Sequence, residues 1–193
     1  MNDDQALSVD PDVAGEVWRI GVDASLQSVI DNPACPPLLY ETLTGALAWQ
    51  TRNETPVRRA LRSPRVAPQW VAALLALGAT VTLETRDDGP TEVILESLLQ
   101  RGAEGEVSAL LVPLGGPERR WGQAAVARTP ADEPSVAAIA VLALEGDIVR
   151  QARVALTGVW PASVRLAGAA ARLVGGPLDA ERIQAVAAAV EEE

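Results

Sequence analysis

The chain has 193 residues, 48% of them hydrophobic, with a formal net charge of −10 and no histidine, lysine or phenylalanine. That length suits one domain or two small ones sharing an interface, and the core must be built from aliphatic side chains. The acidic balance argues against a nucleic-acid partner, which needs a basic face. Without histidine there is no Ser–His or Cys–His nucleophile pair and no ordinary zinc site, and without lysine no Schiff base or P-loop. Cys35 stands alone, so it can neither form an internal disulfide nor hold an iron–sulfur cluster; a buried small hydrophobe is its expected role. No apolar run reaches membrane-spanning length and the first residues lack the basic start of a signal peptide, so a cytoplasmic protein is expected.

Residues 1–16 are acidic and without periodicity, and are expected to form a flexible tail. Residues 17–22 alternate like a strand, and Ser25 caps a helix that stops at Asn32-Pro33. A longer helix is predicted over 36–50, a loop over 52–68 and a helix over 69–77 ending at Gly78. An alternating strand follows at 79–85, then a turn at 87–90, a return strand at 92–95 and a short helix to Gln100. The second half offers four strand candidates, 107–114, 120–128, 135–144 and 148–157, joined by compact Gly-containing connections that imply antiparallel hairpins. Helices are predicted over 164–174 and 179–190, with Gly175-Gly176-Pro177-Leu178 as the turn of a helical hairpin. The pattern is α+β, with segregated elements.

Several stretches carry a family signature. Residues 148–161, with Thr157-Gly158 and Pro161 followed by Arg165 and the linker 175–178, resemble the last strand, turn and linker of the flavoprotein subunits of molybdenum hydroxylases, of the carbon monoxide dehydrogenase and xanthine dehydrogenase type. Residues 128–132 resemble the arginine-to-aspartate step before the central strand of that C-terminal domain. Residues 19–22, 37–39 and 51–53 and the Ala-Leu-Leu-Ala-Leu-Gly-Ala-Thr-Val run 73–81 are similar to the middle domain of the same subunits. The resemblance therefore covers about residue 17 to the end. It implies a flexible tail (1–16), the remnant of a second FAD-binding subdomain (17–103) and a C-terminal domain of antiparallel sheet packed with terminal helices (104–193).

The family's flavin contacts are altered. No Ala-Gly-Gly-Thr turn precedes Val17. In the second flavin loop the degenerate positions are Arg52, Asn53, Thr55, Arg58, Arg59 and Ala60, with two arginines and an alanine where the pattern has paired glycines and an asparagine. The carboxylate ahead of the 73–81 run falls on Gln69 or Ala67. Glycine lets a backbone approach phosphate closely, and these substitutions remove that freedom. The expectation is a flavin-free, non-catalytic relative with no cofactor, metal or catalytic residue. It would serve as an assembly protein, as a homodimer or as a heteromer with molybdenum and iron–sulfur subunits.

Two alternatives stand beside it: a working FAD subunit passing electrons in a molybdopterin dehydrogenase, and a small anionic-ligand binder in the vacated cleft. For the cluster Arg58, Arg59, Arg62 and Arg65, solvated loop charges are favoured over an anion clamp. Gly115-Gly116 and Gly175-Gly176 are expected to be turns and not phosphate loops. Asp132 and Glu133 are expected at the surface, and Trp160 in packing between sheet and terminal helices.

Overall fold

A computed structural model describes residues 17–85, 89–102, 105–129, 134–159 and 164–193. The acidic tail, Asp87-Asp88 of the predicted turn, residues 130–132 of the arginine-to-aspartate step, Glu133, Trp160 and Pro161 lie outside them.

The chain opens with strand β1 (Val17–Gly21) and helix α1 (Leu26–Asp31), whose N-cap is Ser25: its hydroxyl accepts from the Ser28 N–H at 3.1 Å. Helix α2 (Pro37–Ala46) starts on prolines, which need no N–H partner in a first turn. The single helix predicted over 36–50 is in fact two. Leu47 and Ala48 turn extended, α3 (Trp49–Glu54) begins afresh, and the Arg52 guanidinium donates to the Leu47 carbonyl at the break. The predicted loop 52–68 holds the end of α3, then α4 (Val57–Arg62) and a 3-10 turn (Pro64–Val66). Prolines 56, 64 and 68 punctuate it into short helices, each starting at or just after a proline.

Helix α5 (Pro68–Leu77) is the centre of the fold. Every residue from Trp70 to Leu77 is buried, as befits a helix apolar on all sides. It ends in a Schellman motif: the Ala79 N–H reaches the Leu74 carbonyl (2.9 Å), the Gly78 N–H the Leu75 carbonyl (3.0 Å), and Gly78 turns left-handed at φ 79°. Strands β2 (Thr80–Thr85) and β3 (Gly89–Ile94) pair antiparallel, α6 (Leu95–Arg101) follows, and β4 (Glu106–Pro113) returns.

β4 does not join the later strands with which its sequence groups it. It completes a first sheet of order β1-β4-β2-β3, antiparallel throughout, with Ile20 opposite Leu110 and Val81 opposite Leu110 on its other side. Alternation fixes a strand's faces but not its partners, so nothing in residues 107–114 distinguishes the two sheets. Gly115-Gly116-Pro117 accordingly spans from one sheet to the other, and is no hairpin.

The second sheet has the order β5-β6-β7-β8, made of β5 (Arg119–Val126), β6 (Val136–Glu145), β7 (Ile148–Thr157) and β8 (Val164–Leu166). A helix predicted over 164–174 is absent. Val164, Arg165 and Leu166 pair instead with Thr157, Leu156 and Ala155, and residues Gly168–Leu173 form a 3-10 turn. The β7 edge offers ladder bonds that outweigh the local helical tendency of an alanine-rich stretch. Gly175 and Gly176 do not turn a helical hairpin either. The Gly175 N–H donates to the Val149 carbonyl and the Val149 N–H to that of Gly176 (both 2.9 Å), stitching the linker to β7. Helix α7 (Ala180–Glu191) closes the described chain, N-capped by Asp179 on the Arg182 N–H at 2.9 Å.

The architecture is α+β with two antiparallel sheets, as the sequence pattern predicts. One core joins them: α5 packs on α2, on β4 and on the inner face of β6, β7 and β8, where Ile139, Val141 and Ala155 meet it. Gly78 is constrained by its left-handed φ of 79°, and a β-carbon there would also displace the end of the Arg153 side chain from β7. Gly78→Ala should therefore lower stability by about 1–2 kcal/mol in urea titration. Gly146→Asn, in the open β6–β7 turn with left-handed φ 58° and no neighbour around a β-carbon, should change it by under about 0.5 kcal/mol.

Candidate cofactor cleft

The positions that the sequence resemblance assigns to an altered flavin loop fall on α3, α4 and the two residues between them. Thr55 is 2% exposed, and its carbonyl accepts from the Leu26 N–H at 2.9 Å. Ser25 and Pro56 form a bridge. Beyond it the Val57 N–H donates to the Ala24 carbonyl and the Arg58 N–H to the Val22 carbonyl, both at 2.9 Å. The segment thus runs alongside residues 22–26 like a short extra strand. Arg59 and Ala60 then donate to the Pro56 carbonyl, at 3.0 and 3.4 Å, as the first turn of α4. Pro56 has no N–H to give. An anion-binding nest works through backbone N–H groups pointing outward in concert. Here the four amides from 57 to 60 are all taken up by backbone carbonyls, two by those of Val22 and Ala24 and two by that of Pro56.

The side chains are committed as well. Arg52 donates from Nε to Gln27 Oε1 at 2.9 Å in addition to the Leu47 carbonyl, and Asn53 donates from Nδ2 to the Trp49 carbonyl at 2.9 Å. Ala60 is fully buried against the core. Arg58 pairs with Asp23 and, at 3.7 Å, with Glu106 on β4. It is a bridge between β4 and the turn after β1, answered by the protein's own carboxylates. Arg59, Arg62 and Arg65 are exposed. The cluster that the sequence singles out therefore divides into one structural arginine and three outward ones.

Two clefts lie nearby. One, of about 360 Å³, has Leu61, Leu98, Leu99 and Val107 for a floor and Arg62 at its rim. The other, of about 260 Å³, lies between α2, α5 and β5, with Gln69, Glu41 and Gln123 among its polar lining. Gln123 Nε2 donates to Glu41 Oε2 across it at 3.3 Å. The altered positions thus do not gather in one place: Gln69 lines the second cleft, while Thr55, Arg58, Arg59 and Ala60 line neither. Sequence reasoning missed Asp23 and Glu106, which neutralise Arg58. No local signal marks them, because they lie 35 and 48 positions away in the chain.

Among the described residues no three acidic, histidine or cysteine side chains converge to hold a metal, and no helix is long and apolar enough to cross a membrane. Cys35 packs against the core with its thiol toward the Pro36 carbonyl. Burial pushes that thiol from 9.0 up to about 12.

Comparison with known proteins agrees with this architecture. Residues 124–193 match the CO dehydrogenase flavoprotein C-terminal domain family. Three solved structures share the fold. Carbon monoxide dehydrogenase from Hydrogenophaga pseudoflava, in a form lacking the Mo-pyranopterin moiety of the molybdenum cofactor, superposes with a TM-score of 0.77 at 24% identity, over 92% of this chain and 64% of that one. Quinoline 2-oxidoreductase from Pseudomonas putida 86 gives 0.76 at 21%, over 93% and 65%. Reconstituted CO dehydrogenase from Oligotropha carboxidovorans gives 0.77 at 22%, over 93% and 65%. The chain thus spans slightly less than two thirds of each of these relatives. No curated protein sequence matches it significantly. The resemblance to molybdenum-hydroxylase flavoprotein subunits is borne out, by the family match over 124–193 and by the fold over nearly the whole chain.

The Cys35 environment makes a direct prediction. A thiol at about 12 is almost wholly protonated at pH 8, so the native protein should resist iodoacetamide at that pH while the urea-unfolded chain reacts readily. Because the folded state holds this proton more tightly, the thiol's contribution to stability should be intact below pH 9 and decline as pH rises toward 12. Labelling followed by mass spectrometry, and urea titrations at pH 8 and 10.5, check both.

Proposed function

We propose that this chain is a flavin-free, non-catalytic relative of the molybdenum-hydroxylase flavoprotein subunits, acting through its surfaces as an assembly or interaction protein. The observation that carries this is the fate of the loop amides. The N–H groups of Val57, Arg58, Arg59 and Ala60 are spent on the carbonyls of Ala24, Val22 and Pro56. A pyrophosphate brought to this loop would find arginine and alanine side chains instead of bare backbone, and no amide of these four to accept from. Such a protein has no chemistry of its own to perform, because a flavin enzyme draws its redox chemistry from the cofactor. What it retains is a folded platform with the outline of a subunit. Partners of that platform are another copy of the chain or molybdenum and iron–sulfur subunits.

The test is a spectrum. The purified protein should be colourless and should take up no stoichiometric FAD on titration and gel filtration. A yellow protein, or saturable one-to-one FAD uptake, overturns the proposal in favour of a working flavin subunit. Affinity purification from the native host should recover a stable complex. Recovery of the chain as an isolated monomer would remove the assembly role.

A further inference from the structure

The outer face of the second sheet is only half covered. On it the register lines up Gly122 with Ala140 and Val154, and Ala124 with Ala138 and Leu156. The α7 helix and the Gly168–Leu173 turn close over the β7 side, burying Val149, Leu173, Val186 and Ala189. Across β5 and β6 no element among the described residues covers the floor. Next to that floor an apolar groove of about 450 Å³ opens between β6, β7 and α7, lined only by alanine, leucine, valine and isoleucine side chains and by no residue of β5. Strands lie about 4.8 Å apart and a helix is about 10 Å wide, so one helix covers two strands and a sheet this broad holds a second. The floor of Gly122, Ala124, Ala138 and Ala140 lets a helix backbone come close. One wall is the flank of α7, where Ile183 stays 48% exposed.

We infer that the missing helix is the α7 of a second copy, and that the chain forms a twofold dimer in which each α7 lies across the bare β5–β6 floor of the other. Charge selects that occupant. The β5 strand carries Arg119 and Arg120 and no acidic residue; Arg119 donates to the Pro113 carbonyl at 3.0 Å, and Arg120, the register partner of Leu142, stands exposed on the groove face with its guanidinium on the Pro117 and Arg119 carbonyls. On α7 the one arginine, Arg182, is turned back onto the carbonyls of Arg172 and Leu173 at 2.9 Å. At its ends α7 exposes two carboxylates, Glu181 and Glu191, against that one half-buried guanidinium. An acidic amphipathic helix beside a basic strand, each needing what the other has, is self-complementary under a twofold axis. The uncharged groove is also where two copies of charge −10 repel each other least. A further sign is the condition of β5 itself. It is an edge strand of eight residues, seven of them exposed, without proline or bulge to blunt it.

This inference rests on the assembly role proposed above and specifies its surface. Sedimentation equilibrium of the full chain should give a dimer. Ile183→Asp and Arg120→Glu, both at exposed positions, should each raise the dissociation constant about tenfold or more while leaving the circular dichroism spectrum and melting of the monomer unchanged. Amides of β5 and β6 should gain hydrogen-exchange protection as protein concentration rises. A wild-type monomer up to about 100 µM overturns the inference, as does a dimer that both substitutions leave intact. If that monomer still co-purifies with a different, larger subunit, the assembly role stands and only this interface falls.

Discussion

The burial of one helix organises the molecule. Helix α5 presents apolar side chains in every direction, so water must be excluded from all of its sides at once, and a single sheet can do that for only one. The first sheet with its helices takes one side and the inner face of the second sheet takes the other. The left-handed exit at Gly78 then sends the chain directly into β2, and the Arg153 guanidinium from β7 comes to rest over that turn. The two sheets are thereby held together through a shared core that neither could complete alone.

Much of this was legible in the residues. The all-apolar run ending in Gly78, the Ser25 and Asp179 caps, and the hairpin at Gly146 are local signals, and local hydrogen bonding executes them. What escaped reading depends on distant partners. Strand β4 looks like its successors and is claimed by β1 and β2, 80 and more residues before it in one case. Residues 164–166 are helix-compatible in isolation but complete the edge of β7. The following 3-10 turn begins with N–H groups on Gly168 and Ala169 that the Glu193 carboxylate accepts, and no spacing rule foretells such a bond.

The site shows the same division. The arginines at 58 and 59, where the family pattern has paired glycines, are plain in the sequence and direct attention to residues 52–61. That Arg58 would be neutralised by Asp23 and Glu106, or that the loop would align against residues 22–26, required the fold. Arg52, Thr55, Arg58 and Ala60 serve the packing and hydrogen bonding of the fold and line no shared cavity. The family match over 124–193 lies in the other half of the chain, which holds most of the second sheet and its linker to α7.

The stitching of residues 55–58 onto 22–26 has a thermodynamic consequence. Its amides close the core around Leu26 and Val57, both fully buried. Any anion that captured those amides would have to part the stitch and expose that core, so its affinity would be diminished by the free energy of the local opening. Ligation at this loop and cohesion of the fold are therefore antagonists: each increment of stability in the stitch is subtracted from the affinity of whatever would displace it.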